Sequence, residues 1–307
     1  MAAPTNTFLT TAAIGNREDL TDTIYRISPT ETPLLNMAPK GKATATLHEW
    51  QTQDLAAPAA NAQAEGDDAT AIAVIPTVRL SNRTQISTKT VIVSGTQQAV
   101  NSAGRADEMG YQMAMKALEL KRDMEFALTQ NNVTATAPRQ LRGLLGWVVD
   151  NTSIGAGTTV ASYATNTAQT DGTTRAFTEA QLKTVLQLQW TAGGMPNTLM
   201  LGGAAKQSFS TFTGNASRMD KSEDSTLFAS VDIYKSDFGE IKAVPNRFQR
   251  TRDVFILQND KLAVSYLRPF KTKDLAVTGD SEKKEIIVEY TLEMRAPHAH
   301  GAVYDIA

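Results

Sequence analysis

Cysteine is missing from all 307 residues. That excludes disulfides, thiolate nucleophiles and thiolate metal sites, and it suits a chain that folds in a reducing cytoplasm. Histidine is scarce, with three residues in all, His48, His298 and His300. GxSxG, HExxH and P-loop patterns do not occur, so the commoner hydrolase, metalloprotease and NTPase signatures fail. No apolar run approaches the roughly 20 residues of a membrane span. The opening "MAAPTNTFLTTAAIGN" lacks the basic start and apolar centre of a signal peptide, so a soluble protein not secreted by that route is expected. Charge of one sign is lacking too: 30 basic residues against 32 acidic leave a formal net charge of −2. Tight sequence-specific DNA binding therefore has no electrostatic footprint.

What is present is enough chain for one large domain or two ordinary ones, with much Ala, Thr and Gly outside the obvious elements. In "GNREDLTDTIYRISPTETPLLNMAPKGKA" (15–43), Asn16 is a candidate N-cap of a short helix that Ser28-Pro29 ends. Pro33 and Pro39 predict an extended strap over 30–43, apolar only at Leu34, Leu35 and Met37. "TATLHEWQTQ" (44–53) and "VRLSNRTQISTKTVIVSG" (78–95) read as the two strands of one long hairpin, with Arg79, Arg83 and Lys89 sharing one parity. Between them, 54–77 reads as a flexible loop with an acidic tip at Glu65, Asp67 and Asp68. A two-stranded hairpin is marginal alone in water, so a neighbouring surface must order it.

A long helix follows, predicted from about Arg105 to Asn131 and spanning about 40 Å. Met109, Met113, Ala117, Leu120, Met124 and Leu128 form its apolar stripe. Lys121 with Glu125, and Glu119 with Arg122, are expected to pair along its solvated face. A Gly/Thr/Ala loop of about 25 residues then leads to a helix from Thr178 to Trp190, a short strand, the pair Gly202-Gly203 and a further helix. The last third is strand-rich. "DVFILQNDKLAVSYL" gives two strands joined by an Asn-Asp turn, and "EIIVEYTLEM" alternates so cleanly that one face should be buried and the other wet.

Three motifs admit a chemical reading, and each has a plainer one. His298 and His300 could supply half of a metal site, but no third ligand stands beside them, and partly exposed loop histidines are the simpler account. Gly202-Gly203 between strand and helix resembles a phosphate-cradling turn without the third glycine; close strand–helix packing explains it more simply. The acidic tip lacks the remaining ligand positions of a Ca²⁺ loop. The three cations of the hairpin are expected to meet carboxylates on a neighbouring chain rather than nucleic acid.

Strap, polar hairpin, rod helix, α/β subdomain and strand-rich return together resemble the HK97-like major capsid proteins of tailed bacteriophages. The segments 15–43, "PNTLMLGGAAKQSFSTF" and "LAVSYLRPFKTKDLAVTGDSEKKEIIVEYTLEMRAPHAHGAVYDI" are similar to the phage head-protein family related to the major head protein of phage SU10. The resemblance implies an α+β HK97-like fold. Its parts would be an N-terminal arm (1–43), an extended loop (44–96), a peripheral domain (97–147 and 251–307) containing the spine helix 105–131, and an axial domain (148–250). It implies a non-enzymatic subunit, without cofactor or metal, that assembles with itself as pentamers and hexamers into an icosahedral shell around double-stranded DNA in the virion, after assembly in the host cytoplasm. Portal protein and a separate scaffolding protein would be partners, a decoration protein is a further possible partner, and contact with packaged DNA would be nonspecific. Candidate intersubunit contacts are Arg17, Leu34 and Leu35 from the arm, Trp50, Arg79, Arg83 and Lys89 from the loop, and Glu119 and Arg122 from the spine. Two rival readings stay open: a nanocompartment of the same fold enclosing protein cargo, and a phosphate-dependent enzyme built around Gly202-Gly203.

Overall fold

A computed structural model describes residues 28–307, apart from 67, 69, 70, 72, 101–106 and 213–232. In chain order, a short helix α1 (Pro33–Met37) and strand β1 (Lys40–Lys42) precede the hairpin strands β2 (Leu47–Thr52) and β3 (Val78–Arg83). Next come β4 (Gln85–Ser94), α2 (Gly95–Ala99) and the long helix α3 (Glu108–Thr129). The middle of the chain holds β5 (Ala135–Thr136), β6 (Arg139–Gln140), β7 (Asn151–Ser153), α4 (Glu179–Thr191), β8 (Thr198–Leu201), α5 (Gly203–Ser210), β9 (Ile233–Ser236) and β10 (Gly239–Pro245). The return is β11 (Val254–Leu257), β12 (Leu262–Asp274), β13 (Ser281–Met294) and β14 (Gly301–Val303).

These strands make two principal sheets, one of four strands in the order β1-β12-β13-β4 and one of six in the order β7-β14-β11-β8-β10-β9. Within the six-stranded sheet, β8 and β11 are buried on both faces, which is why "VFIL" and "LML" read as apolar runs without alternation. Alternation along β8 and β11 sends Met200, Phe255 and Leu257 into one core, with α3 and β13. It sends Leu199, Leu201, Val254 and Ile256 into a second core, with α4 and α5. The expected Asn-Asp turn is a 3₁₀ turn at Asn259–Lys261. Instead of folding a hairpin, it passes the chain from one sheet to the other.

The predicted stripe of α3 faces the core: Met109, Leu120, Met124 and Leu128 are buried, and Met113 and Ala117 pack against them. The helix is shorter than expected, running to Thr129, with Gln130 already extended. Residues 101–106 lie outside the described residues, as do Asn16 and its predicted helix. The start of α4 falls where Thr178 and Glu179 placed it, and the Gln181 side chain accepts the Thr178 N–H at 3.2 Å.

Four expectations are corrected. Pro33 does not bar regular structure in the strap: it occupies the first turn of α1, where its missing N–H costs nothing. Beyond Pro39 the strap adds β1 to β12 in parallel register, Lys40 opposite Val264. The second hairpin strand breaks at Thr84; β3 pairs with β2, but β4 leaves the hairpin and runs antiparallel to β13. The alternate face of β13 is not wet, because Glu289 and Thr291 are buried beneath other segments.

The fourth correction concerns Glu125, expected on the solvated face of α3 beside Lys121. It is fully buried. Its Oε1 accepts the Leu34 N–H at 2.8 Å and the Asn246 side-chain amide at 2.6 Å, and its Oε2 accepts the Leu35 N–H at 3.0 Å. A carboxylate at the first turn of α1 satisfies amides that have no helical partner. Burial pushes the Glu125 pKa up, and these three donors only partly offset it. Glu125→Ala leaves three buried donors without an acceptor and should cost about 3 kcal/mol in the denaturant unfolding of the unassembled subunit. Glu125→Gln, which retains one acceptor oxygen, should lose roughly half as much.

Candidate assembly surface

The hairpin β2–β3 is fixed at its root. Its full register runs from Leu47 opposite Arg83 to Thr52 opposite Val78. At the root, Trp50 donates its indole N–H to the Met294 carbonyl at 2.8 Å, and its ring lies 5.4 Å from Trp147, which stacks on Tyr163. Asn82, fully buried, uses every polar atom of its side chain: it donates to the carbonyls of Arg142 (3.2 Å) and Leu292 (2.7 Å), and accepts the N–H of Arg83 and of Arg142 at 2.9 Å each. A single carboxamide thus joins β3, β13 and the segment after β6.

The polar face of β13 completes the root. Glu289 pairs with Arg139 and Arg268 at 2.7 Å each and accepts the Thr84 hydroxyl at 2.8 Å. Burial pushes this carboxyl up, but the Thr84 hydroxyl and the two guanidiniums outweigh it and hold its pKa below the usual range. Glu293 likewise accepts from Ser265 at 2.7 Å, meets His48 at 3.0 Å and pairs with Arg295 at 2.9 Å. Thr291 donates to the Arg83 carbonyl at 2.9 Å. What reads in sequence as a solvated face is a seat for the hairpin.

Past the root, the described residues of 54–77 have no regular structure, and Leu55 and Val74 are 96% and 86% exposed. This stretch holds Asp54, Glu65, Asp67 and Asp68 and no basic residue. Elsewhere, the outer half of β12 and the adjoining face of β13 form a shallow groove. It is lined by the apolar Leu267, Pro269, Phe270 and Ile287, by Arg268, Lys271 and Lys273, and by one acid, Glu285. Two register shifts in β12, between Tyr266 and Arg268 and between Arg268 and Lys271, leave Leu267, Pro269 and Phe270 out of the regular ladder.

The candidate contact residues fall into different situations. Arg17 lies outside the described residues. Leu34 has no exposed surface and belongs to the chain's own core, with Leu35 and Trp50 packed partly against it. Two of the three cations have pairs within this chain: Arg79 with Glu49 at 3.3 Å, and Lys89, on β4, with Asp123 at 2.7 Å. Glu119 pairs with Lys116 at 2.8 Å rather than with Arg122, whose guanidinium lies 5.3 Å from the centre of the Phe248 ring. Arg83 is half-buried.

Of the motifs with a chemical reading, His298 meets Asp150 at 3.0 Å. His300 is fully buried, contrary to the partly exposed loop position expected, and its Nδ1 accepts the Gln258 N–H at 3.3 Å. The two histidines serve separate local contacts. Gly202 and Gly203 lie at the start of α5, but a Cβ on Gly202 would meet only Thr251 Cα at 3.7 Å and one on Gly203 would meet nothing. Close packing therefore does not explain this pair.

Residues that sequence reasoning missed carry most of the root: Asn82, Arg139, Arg142 and Glu289. Asn82 had a signal, an Asn within a β-favouring run that disfavours it; the Arg139–Glu289 pair, 150 positions apart in the chain, had none.

The SU10 major capsid protein family profile matches residues 3–307. The chain belongs to this family. It is 29% identical to the major capsid protein of Escherichia phage Phieco32, over 100% of this chain and 99% of that one. The fold is shared with the capsid asymmetric unit of cyanophage A-1(L), at a TM-score of 0.68, 14% identity, and coverage of 97% and 98%. It is shared as well with the SrpI encapsulin complex of Synechococcus elongatus PCC 7942, at a TM-score of 0.60, 12% identity, and coverage of 95% and 92%. The HK97-like α+β expectation thus holds, and the chain is a phage major capsid protein.

For this capsid subunit the root should be acid-sensitive. Glu289 has a depressed pKa, so its stabilisation is complete above the ordinary value of 4.5 and lost as pH falls through the folded one. The denaturant midpoint of Glu289→Gln should accordingly depend less on pH below about 4.5 than that of the parent. Glu289→Ala should cost about 3 kcal/mol at neutral pH, since it leaves two guanidiniums partly buried without a carboxylate.

Proposed function

We propose that this subunit builds an icosahedral shell of pentamers and hexamers around double-stranded DNA, with each hairpin lying across an adjacent subunit. The observation that carries the reading is a hairpin bonded at its root to the chain's own core while its outer loop exposes Leu55 and Val74. Exposed apolar side chains on an irregular, acid-only loop need a surface with an apolar floor and cations around it. The Leu267–Phe270–Ile287 groove, whose Lys271 and Lys273 outnumber its one acid, Glu285, has that chemistry, and a neighbouring copy would bring it within reach. Portal and scaffolding proteins are the partners such a shell needs during assembly in the host cytoplasm, and the outer face is where a decoration protein would sit.

Catalysis has no part in this reading. The near-neutral charge fits it, because a strongly basic inner wall would grip packaged DNA and resist its exit, given how steeply phosphate contacts add affinity. The encapsulin shares only the fold, while the family match favours a genome as the content of the shell.

Deleting 56–74 should leave a folded, soluble subunit with an unchanged unfolding midpoint that forms few or no closed particles in electron micrographs. Normal particles from that deletion would refute the interlocking role. A parent protein that stays monomeric with and without a scaffolding protein would count against the shell itself.

A further inference from the structure

Six charged side chains meet where the 154–175 loop reaches the start of β11 and the C-terminal strand, and none of them serves the hairpin. Asp253, just before β11, is fully buried, and neither of its carboxylate oxygens has a hydrogen-bond partner among the described residues. Its nearest cation is Arg250, with Nε at 3.4 Å. The same guanidinium holds Asp171 of the loop at 2.5 Å. Arg252 stands 3.7 Å from Asp171, and it bonds to Asp305 at 2.8 Å and to the Gly172 carbonyl at 2.5 Å. Asp305 accepts the N–H of Gly172 at 2.9 Å and of Gly155 at 3.3 Å, and the Thr158 hydroxyl. Arg175 bonds to Ser153 Oγ and the Tyr304 carbonyl. The buried Tyr304 hydroxyl, also near Asp253, donates to the Val148 carbonyl.

Three carboxylates therefore share two guanidiniums, and the one with the poorest contacts, Asp253, has no exposed surface. Ionising Asp253 would add an unsolvated charge and draw Arg250 away from Asp171. We propose that Asp253, Arg250 and Asp171 form a proton-operated clasp: protonated Asp253 leaves Arg250 to hold the loop, and release of that proton favours opening of the 154–175 loop. Burial, with the charges of Asp171 and Asp305, pushes the Asp253 carboxyl up to about 7 against the pull of Arg250 and Arg252. Asp305, by contrast, is held below its ordinary value by the Thr158, Gly172 and Gly155 donors and by Arg252, which outweigh its burial. It stays charged as the fixed anchor.

The sign follows from linkage. The closed loop keeps a proton on Asp253 up to about pH 7, whereas opening carries the Asp171 charge away and leaves Arg250 to Asp253, so its pKa falls back toward the ordinary 3.8. Opening thus releases a proton, and the opening constant rises by up to about tenfold per pH unit between those two values, then levels off.

Amide hydrogen exchange of the full-length chain at a series of pH values from 5 to 8, divided by intrinsic exchange rates, reads this directly. Peptides covering 154–175 should be at least about tenfold more open at pH 8 than at pH 5, with peptides of β13 as the reference. Asp253→Asn mimics the protonated acid, so it should fold and show the same opening at both ends of the range. Asp171→Asn removes a charge that raises the Asp253 pKa, so the plateau should begin at lower pH. Loop exchange that does not vary with pH in the parent, an unchanged pH dependence in Asp253→Asn, failure of Asp253→Asn to fold, or an unmoved plateau in Asp171→Asn would each overturn the clasp.

Discussion

The fold depends on how acidic side chains buried along β13 and α3 are kept from being unpaired charges. β13 lies between β12 and β4 in its sheet, and its apolar face faces the core. Its other face carries Glu289, Thr291 and Glu293, groups that are too costly to bury without partners. The partners come from far away in sequence: Thr84 and Arg83 at the end of the hairpin, His48 inside it, Arg139 on the small β5–β6 ribbon, and Arg268 on the neighbouring strand. Satisfying that face and seating the hairpin root are therefore one event. A hairpin that cannot bury itself is held at one end by polar complementarity, and the described residues of the loop at its far end take no regular structure.

Glu125 applies the same logic without any counter-ion. Its three donors come from the strap and from the segment leaving β10, so one carboxylate ties the strap, α3 and the six-stranded sheet together. Each bond is charge-assisted and therefore stronger than a neutral one. The strap is then positioned for β1 to add to β12, and the short link from Lys42 to Leu47 delivers the chain to the hairpin.

Much of this was legible in sequence where periodicity governs. The α3 stripe, the α4 start, the β8–α5 step and the last strands all follow from spacing and capping, because each answers to local geometry. The misses share one cause. Lys121 and Glu125 are spaced like an exposed ion pair, and Glu289 and Glu293 alternate like a wet face. Tertiary partners more than 90 positions away overrode both patterns. The split of 78–95 into β3 and β4 was hidden for a similar reason: both halves favour strand, and only the partner available to each decides that Val78–Arg83 joins β2 while Gln85–Ser94 joins β13.

A shell subunit must be rigid enough to set angles between neighbours and must keep reaching segments that do not collapse on their own body. The chain meets both needs by composition. The apolar residues of α3, β8 and β11 build two cores on opposite faces of one sheet, so the spine and the α4–α5 unit share that sheet as a common wall. The 54–77 loop carries Ala, Pro and acids, has no basic residue to fold back onto its own carboxylates, and follows a root whose polar groups are already satisfied. Its apolar side chains gain little from its own hairpin, because the two strands present no third layer to bury them. Leu55, Val74 and Phe270 thus remain exposed on the single chain, and the assembly proposed above would bury them by seating one copy's loop on another's groove.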